Sequence, residues 1–259
     1  MFNSREILAG LAIKAKGDWT SEYRYLKSKV MCEDQYVYLG NKMKYITLID
    51  EDFPECLKDV TKVPIVLFYK GNIRLLESGK RVSVVGTRDM TQYGKEVCNK
   101  LIDDFYNSDR RDDVVFISGM AKGIDGEVSR AVIRNKGKLI SVLGSGIDRC
   151  YPDESKDIYD YCCSENGLIV SEYPFDEAPQ KEHFPFRNRI LVGLGKILLV
   201  IEGKEKSGTN ISVKEALDQG KDILSVPCPI TSRNNLTNKL IADGAIPCLS
   251  YIDISERLY

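Results

Sequence analysis

The chain has 259 residues, 43% of them hydrophobic, which suffices for one large α/β domain or one such domain with a small appendage. Its 37 lysines and arginines against 38 acids leave a formal net charge of −1, which excludes a global basic field; attraction for nucleic acid has to come from a local patch. No apolar run approaches the roughly 18 residues that span a bilayer, and the opening MFNSREILAGLAIKAKG has no uninterrupted apolar segment and no clear cleavage site. Neither a membrane span nor a signal peptide is expected.

Residues 1 to about 35 read as a short helical segment. Ile7, Leu8, Leu11, Ala12 and Ile13 form an apolar side, Asp18 to Ser21 punctuate it, and a second helix follows through Tyr23 to Val30. This is too little material for a core of its own, so it should dock on residues 36–259. Next come YITLID as a strand, DFPECL as a helix start, and PIVLFYKGN as a strand ending in a Gly-Asn turn. From Arg81 onward, short β-branched runs alternate with helical stretches. VSVVG precedes a helix over Gln92 to Tyr106, VVFISG one over Ala121 to Asn135, and LISVLGSG one over Ser155 to Glu165. LIVSE precedes a loop and the segment HFPFRNRILVGL. ILLVIE precedes a helix over Asn210 to Gln219, and ILSVP one over Leu236 to Asp243. Fully apolar strands alternating with helices predict a mostly parallel sheet covered on both faces, an extended Rossmann-like fold.

Several predicted strands end in glycine-bearing turns: GTR at 86–88, SGMAKGID at 118–125, GSGID at 144–148 and SGT at 207–209. The carboxyl ends of parallel strands form the ligand crevice, where glycine lets the backbone approach a phosphate and a following helix offers free N–H groups. The same glycines also suit tight β–α turns that bind nothing. The first strand ends in G-T-R rather than G-x-G-x-x-G, and no G-x-x-x-x-G-K-[ST] occurs, which disfavours a dinucleotide site and a P-loop. Arg88 offers a planar fork for a phosphate oxygen at that first turn.

The segment from His183 to Leu194 is the most informative. Pro185 suits the first turn of a helix, which would put Arg187, Asn188 and Arg189 on its opening turn, ahead of the apolar run Ile190 to Leu194. Lys181 lies three residues before Phe184, and residues 181–189 carry three cations against one acid, Glu182. Cations, an aromatic face and a helix N-terminus suit a phosphate backbone with an unstacked base beside it. Structural ion pairs for Arg187 and Arg189 are the competing reading. Phe184, standing before a proline, is expected in an extended backbone, pointing either into the crevice or into the core.

The eight cysteines, at 32, 56, 98, 150, 162, 163, 228 and 248, form no C-x-x-C pair, and His183 is the single histidine. Zinc ligation and a Ser-His-Asp or Cys-His site are therefore disfavoured. Mostly buried thiols in a reducing cytoplasm fit instead.

In this order, YITLIDEDFPECL, PIVLFYKGN, VVGTR, SGMAKGID, VLGSGIDRCYP, SEYP, HFPFRNRILVGL and SGTNISVKEAL resemble the bacterial DNA-processing protein A family, also called DprA or Smf. The resemblance runs from about Tyr45 to about Pro247. It implies an extended Rossmann-like core, single-stranded DNA binding, a homodimer, and delivery of incoming DNA to the recombinase RecA in natural transformation. It implies no enzymatic activity and no cofactor. Position by position, it makes Arg88, Lys181 and Phe184 the lining of a positive DNA pocket. Gly86, Ser118, Gly119, Lys122 and Gly123 belong to the glycine turns flanking it, and Arg187, Asn188 and Arg189 to the F-P-x-R-N-R motif. After GID the chain reads GEVSRAV, where the family usually has a small residue and histidine. Its first residues are fewer than the helical N-terminal domain of many members, and it ends near the end of the core, so the winged-helix domain of some members is not expected.

The expected mechanism is capture of single-stranded DNA, with phosphates against Arg88, Lys181 and the glycine-turn amides and a base stacked on Phe184. Sequence preference should be low, because such contacts carry little base information. A rival from another class is a nucleotide phosphoribohydrolase on the same fold. GKEKSGTNISVKE, with Ser207-Gly208-Thr209 and Glu215, loosely resembles the P-G-G-x-G-T turn and catalytic glutamate of that type. A third reading is a nucleotide-sensing module without a DNA partner.

Overall fold

The computed structural model describes residues 3–29, 43–109 and 114–259. The expected boundary at residues 35/36, the helix end at Val30 and Cys32 lie outside the described residues. Helices α1 (Ser4–Lys14) and α2 (Trp19–Lys27) open the chain. Asn3 caps α1 through a reciprocal box with Glu6, and Asp18 caps α2 through the Ser21 amide. The second helix therefore starts at Trp19, four residues ahead of the expected Tyr23, because the Asp18 carboxylate satisfies a free N–H of the first turn.

Nine strands form one sheet: β1 (Lys44–Thr47), β2 (Val66–Gly71), β3 (Arg81–Val85), β4 (Val115–Ser118), β5 (Lys138–Val142), β6 (Gly167–Ser171), β7 (Ile197–Val200), β8 (Asp222–Ser225) and β9 (Ile246–Pro247). Their spatial order is β1-β2-β6-β5-β4-β3-β7-β8-β9. The β1–β2 and β2–β6 pairings are antiparallel and all others are parallel. The alternating sequence thus gives the mostly parallel sheet it predicts, extended by an antiparallel edge from YITLID and PIVLFYKGN.

Helices α3 (Gln92–Tyr106), α4 (Ile124–Arg134), α5 (Lys156–Cys162), α6 (His183–Leu194), α7 (Gly208–Asp218), α8 (Leu236–Ala242) and α9 (Tyr251–Leu258) cover both faces. One core unites α1, α3, α4, α5 and α9 through Leu8, Ile102, Val128, Ile158 and Ile254 against Val82, Val84, Phe116 and Leu199. The other holds α6, α7 and α8 through Leu191, Leu194, Val213 and Leu240 against Val85, Ile117, Val142 and Leu198. Successive strand residues therefore feed opposite cores, the signature of a sheet buried on both sides. Among the described residues no helix is long and apolar enough to cross a membrane.

The strand order places a topological switch beside β3. From β3 the chain builds outward through β4, β5 and β6, then returns to place β7, β8 and β9 on the other side of β3. Connections on the two sides diverge there and open a crevice at the carboxyl ends of β3 and β7.

The N-terminal helices seal the antiparallel side. Leu8, Ala9 and Ala12 enter the first core, the Trp19 indole donates to Val63 O at 2.8 Å, and Arg5 pairs with Asp50 at 2.6 Å. Glu22 of α2 is buried. Burial and then the Glu172 and Asp18 charges push its carboxyl well above the usual range, against a pull from Arg189. A carboxyl whose folded pKa exceeds its unfolded one contributes stability below the unfolded value and loses it as pH rises through the folded one. Glu22→Gln is therefore expected to raise the melting temperature at neutral pH and to flatten its decline above about pH 4.5. Thermal unfolding of both proteins across that range checks it.

Candidate nucleic-acid interface

The switch-point crevice is a cleft of about 640 Å³. The turn after β3 supplies Gly86, Thr87, Arg88 and Asp89. The turns after β4 and β5 supply Asp125 and Tyr151, the approach to α6 supplies Pro179, Lys181 and Phe184, α6 itself adds Arg187 and Asn188, and the start of α7 closes it with Gly208, Thr209 and Ser212. Six predicted residues meet here: Gly86, Arg88, Lys181, Phe184, Arg187 and Asn188.

The others are not among the lining residues. Ser118 is fully buried and donates to Val84 O at 3.0 Å. Lys122 pairs with Glu154 at 2.9 Å. Gly123 has φ +76°, and a Cβ there would overlap Thr87 O, so this glycine lets α4 start directly against the β3 turn. A Cβ at Gly119 would overlap the Arg187 guanidinium. These residues are not among those lining the cleft, although Ala121 of the same turn is, and Gly119 and Gly123 make room for protein.

Helix α6 also departs from expectation. It begins at His183, so Phe184 is helical rather than extended, and Pro185 occupies the third helical position of the first turn, where its missing N–H costs no intrahelical bond. Arg187 and Arg189 consequently fall in the second turn, inside the molecule, rather than on the opening turn. Their roles diverge. Arg189 makes a bidentate ion pair with Glu172, at 2.8 and 2.6 Å, with both side chains buried, and its guanidinium lies 4.0 Å from the Phe186 ring centroid. Arg187 reaches under the β5 end, where Nη1 donates to Val142 O, while one face of its side chain lines the cleft. Burial pulls the Arg187 guanidinium down to about 10, the Asp125 charge opposing this and the Arg88 charge adding to it.

Asp125, two residues after Gly123, was not singled out by sequence. It is buried, which pushes its carboxyl up; Arg187, the Gly119 amide, Arg88 and the Gly86 amide oppose that rise. The strand-end amides expected to face a phosphate thus serve an internal carboxylate. Asp125 and the Arg187 guanidinium crowd the same side of Gly119.

At the mouth, the Phe184 ring is half-buried. It lies against Gly144 of the GSGID turn, 5.7 Å from the Tyr151 ring, with the Arg88 guanidinium 5.2 Å from its centroid. Lys181 is exposed at the rim. Tyr151, 45% exposed, is a second aromatic that sequence reasoning missed; its signal was the aromatic-proline step closing VLGSGIDRCYP. Below the rim, His183 stacks on Tyr173 at 3.9 Å with Nδ1 3.2 Å from Gly144 O, and burial holds its imidazole below the usual value. Glu215 on α7 is not among the residues lining the cleft.

Comparison with known proteins decides the family. A family model described as DNA recombination-mediator protein A matches residues 44–259. The chain belongs to that family. It is 39% identical over 222 residues to the DNA processing protein DprA of Bacillus subtilis, covering 85% of this chain and 73% of that protein. It is 37% identical over 205 residues to DprA of Streptococcus pneumoniae, covering 79% and 70%. The solved S. pneumoniae DprA superposes with a TM-score of 0.80 at 32% identity over 92% of this chain and 85% of that one. DprA from Helicobacter pylori, a structure described for its unique single-stranded DNA binding mode, gives 0.72 at 25% identity over 84% and 96%.

The division of labour between the two arginines is testable. Removing one partner of a buried ion pair leaves the other charge uncompensated. Arg189→Met strands Glu172 beside buried Glu22 and should cost about 3–5 kcal/mol in denaturant unfolding.

Proposed function

We propose that this chain captures single-stranded DNA for recombination during natural transformation, with the switch-point cleft as its binding site. The observation that carries the reading is the mouth of the cleft: a half-buried Phe184 flanked by Tyr151 and the Arg88 guanidinium, with exposed Lys181 beside it. An aromatic face between cations accepts an unstacked base and its flanking phosphates without reading sequence. The net charge of −1 makes this local arrangement, rather than overall attraction, the source of binding. Family membership and the single-stranded DNA binding mode described for the H. pylori relative support the same reading.

In this proposal Arg88 and Lys181 hold phosphates and Phe184 stacks. Arg187 contributes positive potential from within, while Ser118, Gly119, Lys122, Gly123 and Arg189 support the site rather than touch DNA. The protein is not an enzyme in this reading. The cleft lacks Glu215, the residue a phosphoribohydrolase reading needs, and the helix starting at Gly208 carries no P-G-G turn. A homodimer would set two sites on one strand and gain from multivalency, and RecA is the expected recipient of the captured DNA. A reducing cytoplasm suits the described cysteines, all of which are free thiols. The helical segment at the start of the chain is a docked appendage of the Rossmann-like core.

Arg88→Ala and Lys181→Ala should each weaken binding of single-stranded oligonucleotides and shallow the salt dependence by about 0.7 in the log–log slope, one phosphate's share. Phe184→Leu should lower affinity by about 1 kcal/mol or more with the slope unchanged. Wild-type affinity and slope in all three folded variants would remove the cleft from consideration. Purified protein should release no free base from nucleoside monophosphates; release abolished by Glu215→Gln would favour the hydrolase instead. Sedimentation at tens of micromolar, in order of magnitude, should show a dimer that binds RecA in a pull-down, and a persistent monomer would count against the paired-site arrangement.

A further inference from the structure

Resting on the single-stranded DNA reading, we propose that α2 and the adjoining side of α6 carry a second contact surface for the same strand. It is a row of rings and lysines outside the cleft, and it binds nucleotides next to those the cleft holds. Trp19, Tyr23 and Lys27 are spaced four residues apart and so share one face of α2. The Trp19 and Tyr23 rings are stacked, with centroids 5.1 Å apart and planes within 8° of parallel. Trp19 lies one turn before Tyr23 and Lys27 one turn after it, with the Lys27 ammonium 4.9 Å from the Tyr23 centroid. Beside the Trp19 ring stands Lys62, at 5.7 Å, and the same ammonium lies 5.4 Å from the Phe186 ring of α6. The row therefore runs from Lys27 through Tyr23, Trp19 and Lys62 to Phe186.

Docking of the N-terminal helices explains only part of this row. Trp19 is half-buried, and its indole fastens α2 through Val63 O. Tyr23, by contrast, is 43% exposed, and Lys27 and Lys62 are exposed with no acidic partner among the described residues. Residues 3–29 carry six lysines and arginines against three acids, within a chain whose net charge is −1. Of those acids, Glu22 is buried and Asp18 is turned to the Ser21 amide. The outer side of α2 is thus a local positive patch.

The patch adjoins the cleft. Phe184 and Phe186 are two residues apart and so point to opposite sides of α6, one to the cleft and the other to Lys62. A strand leaving the cleft over exposed Pro185 meets Lys62 next; Glu182 is the acid beside this crossing, offset by Lys181. The chemistry of the row selects the occupant. Rings interleaved with cations suit unstacked bases joined by phosphates. A base stacks on an exposed ring more strongly than a lysine holds it. The base takes the outer face of Tyr23, and the displaced Lys27 ammonium pairs with the adjoining phosphate. Lys62 holds the phosphate that crosses from α6. A duplex, whose bases are stacked on one another, can use the lysines but not the ring.

Trp19 is the only tryptophan of the chain, so its fluorescence reports on this surface alone. The test titrates the protein with homopolymeric dT of about 4 nucleotides, enough for the cleft, and of about 16, enough to reach beyond it. The long strand should quench Trp19 emission and the short one should not. Tyr23→Leu should weaken binding of the long strand about tenfold, and Lys27→Ala and Lys62→Ala should each shallow its log–log salt slope by about 0.7. All three variants should bind the short strand as the wild type does. Should Tyr23→Leu fail to fold, the two exposed lysines decide. Unchanged Trp19 emission with the long strand, or wild-type affinity and slope in the folded variants, overturns the inference. Variants that weaken both lengths equally act through the docking of α2, and equal quenching by a duplex marks a plain phosphate surface; either result also overturns it. Failure of the wild type to bind either strand would instead refute the single-stranded DNA reading itself.

Discussion

Two guanidinium groups enter the interior on one helix, and the fold is arranged around their accommodation. A buried charge persists only where acceptors and an opposing charge surround it. Arg189 meets this with a bidentate partner, Glu172 at the end of β6. Arg187 meets it with the Val142 carbonyl and the field of Asp125, in a passage that the missing side chain of Gly119 keeps open. Three strand ends thereby meet α6, β4 at Gly119, β5 at Val142 and β6 at Glu172, and the middle of β3 is joined to it separately by the Ser83 hydroxyl, which donates to Leu191 O. The back wall of the crevice is thus a joint of buried charges, with the Nε of Arg187 and of Arg189 left without a partner.

This joint leaves positive potential in the cleft although the chain is nearly neutral. Arg187 is compensated from behind by Asp125, yet it lines the cavity, and Arg88 stands in front of it over the Phe184 ring. Several surface cations are spent on neighbours: Lys70 on Asp148, Lys122 on Glu154, Arg130 on Asp157 and Lys204 on Asp89. Such exposed pairs add little stability, but they mute the surrounding field. The switch-point topology does the remainder, because strands diverging on the two sides of β3 leave a concavity that no connection crosses.

Much of this was legible in the residues. Apolar strands alternating with helices required a sheet covered on both faces, and the ordered motifs identified the family before any coordinates. The family resemblance placed Arg88, Lys181 and Phe184 together, each next to a strand end or the start of α6. The antiparallel edge was less legible: YITLID and PIVLFYKGN read as strands, but the direction of pairing depends on long-range register. The backbone of Phe184 was misread for a local reason. The residue before proline avoids the helical region in isolation, and burial of α6 from Arg187 to Leu194 overrides that preference.

The sequence by itself determined the layered α/β class and the family, since these rest on periodicity and motif order, and the family resemblance pointed to Arg88, Lys181 and Phe184. Only the tertiary structure separated Arg187 from Arg189, showed Gly119 giving clearance to a guanidinium and Gly123 to the β3 turn, and brought Asp125, Tyr151, Thr209 and Ser212 to one cavity. The physical reason is shared. Whether a charged or polar side chain faces solvent, a ligand or a buried partner depends on groups contributed by other strands. Glu172 lies 17 residues from the arginine it neutralises and Val142 lies 45 residues from its own, distances that no local pattern spans.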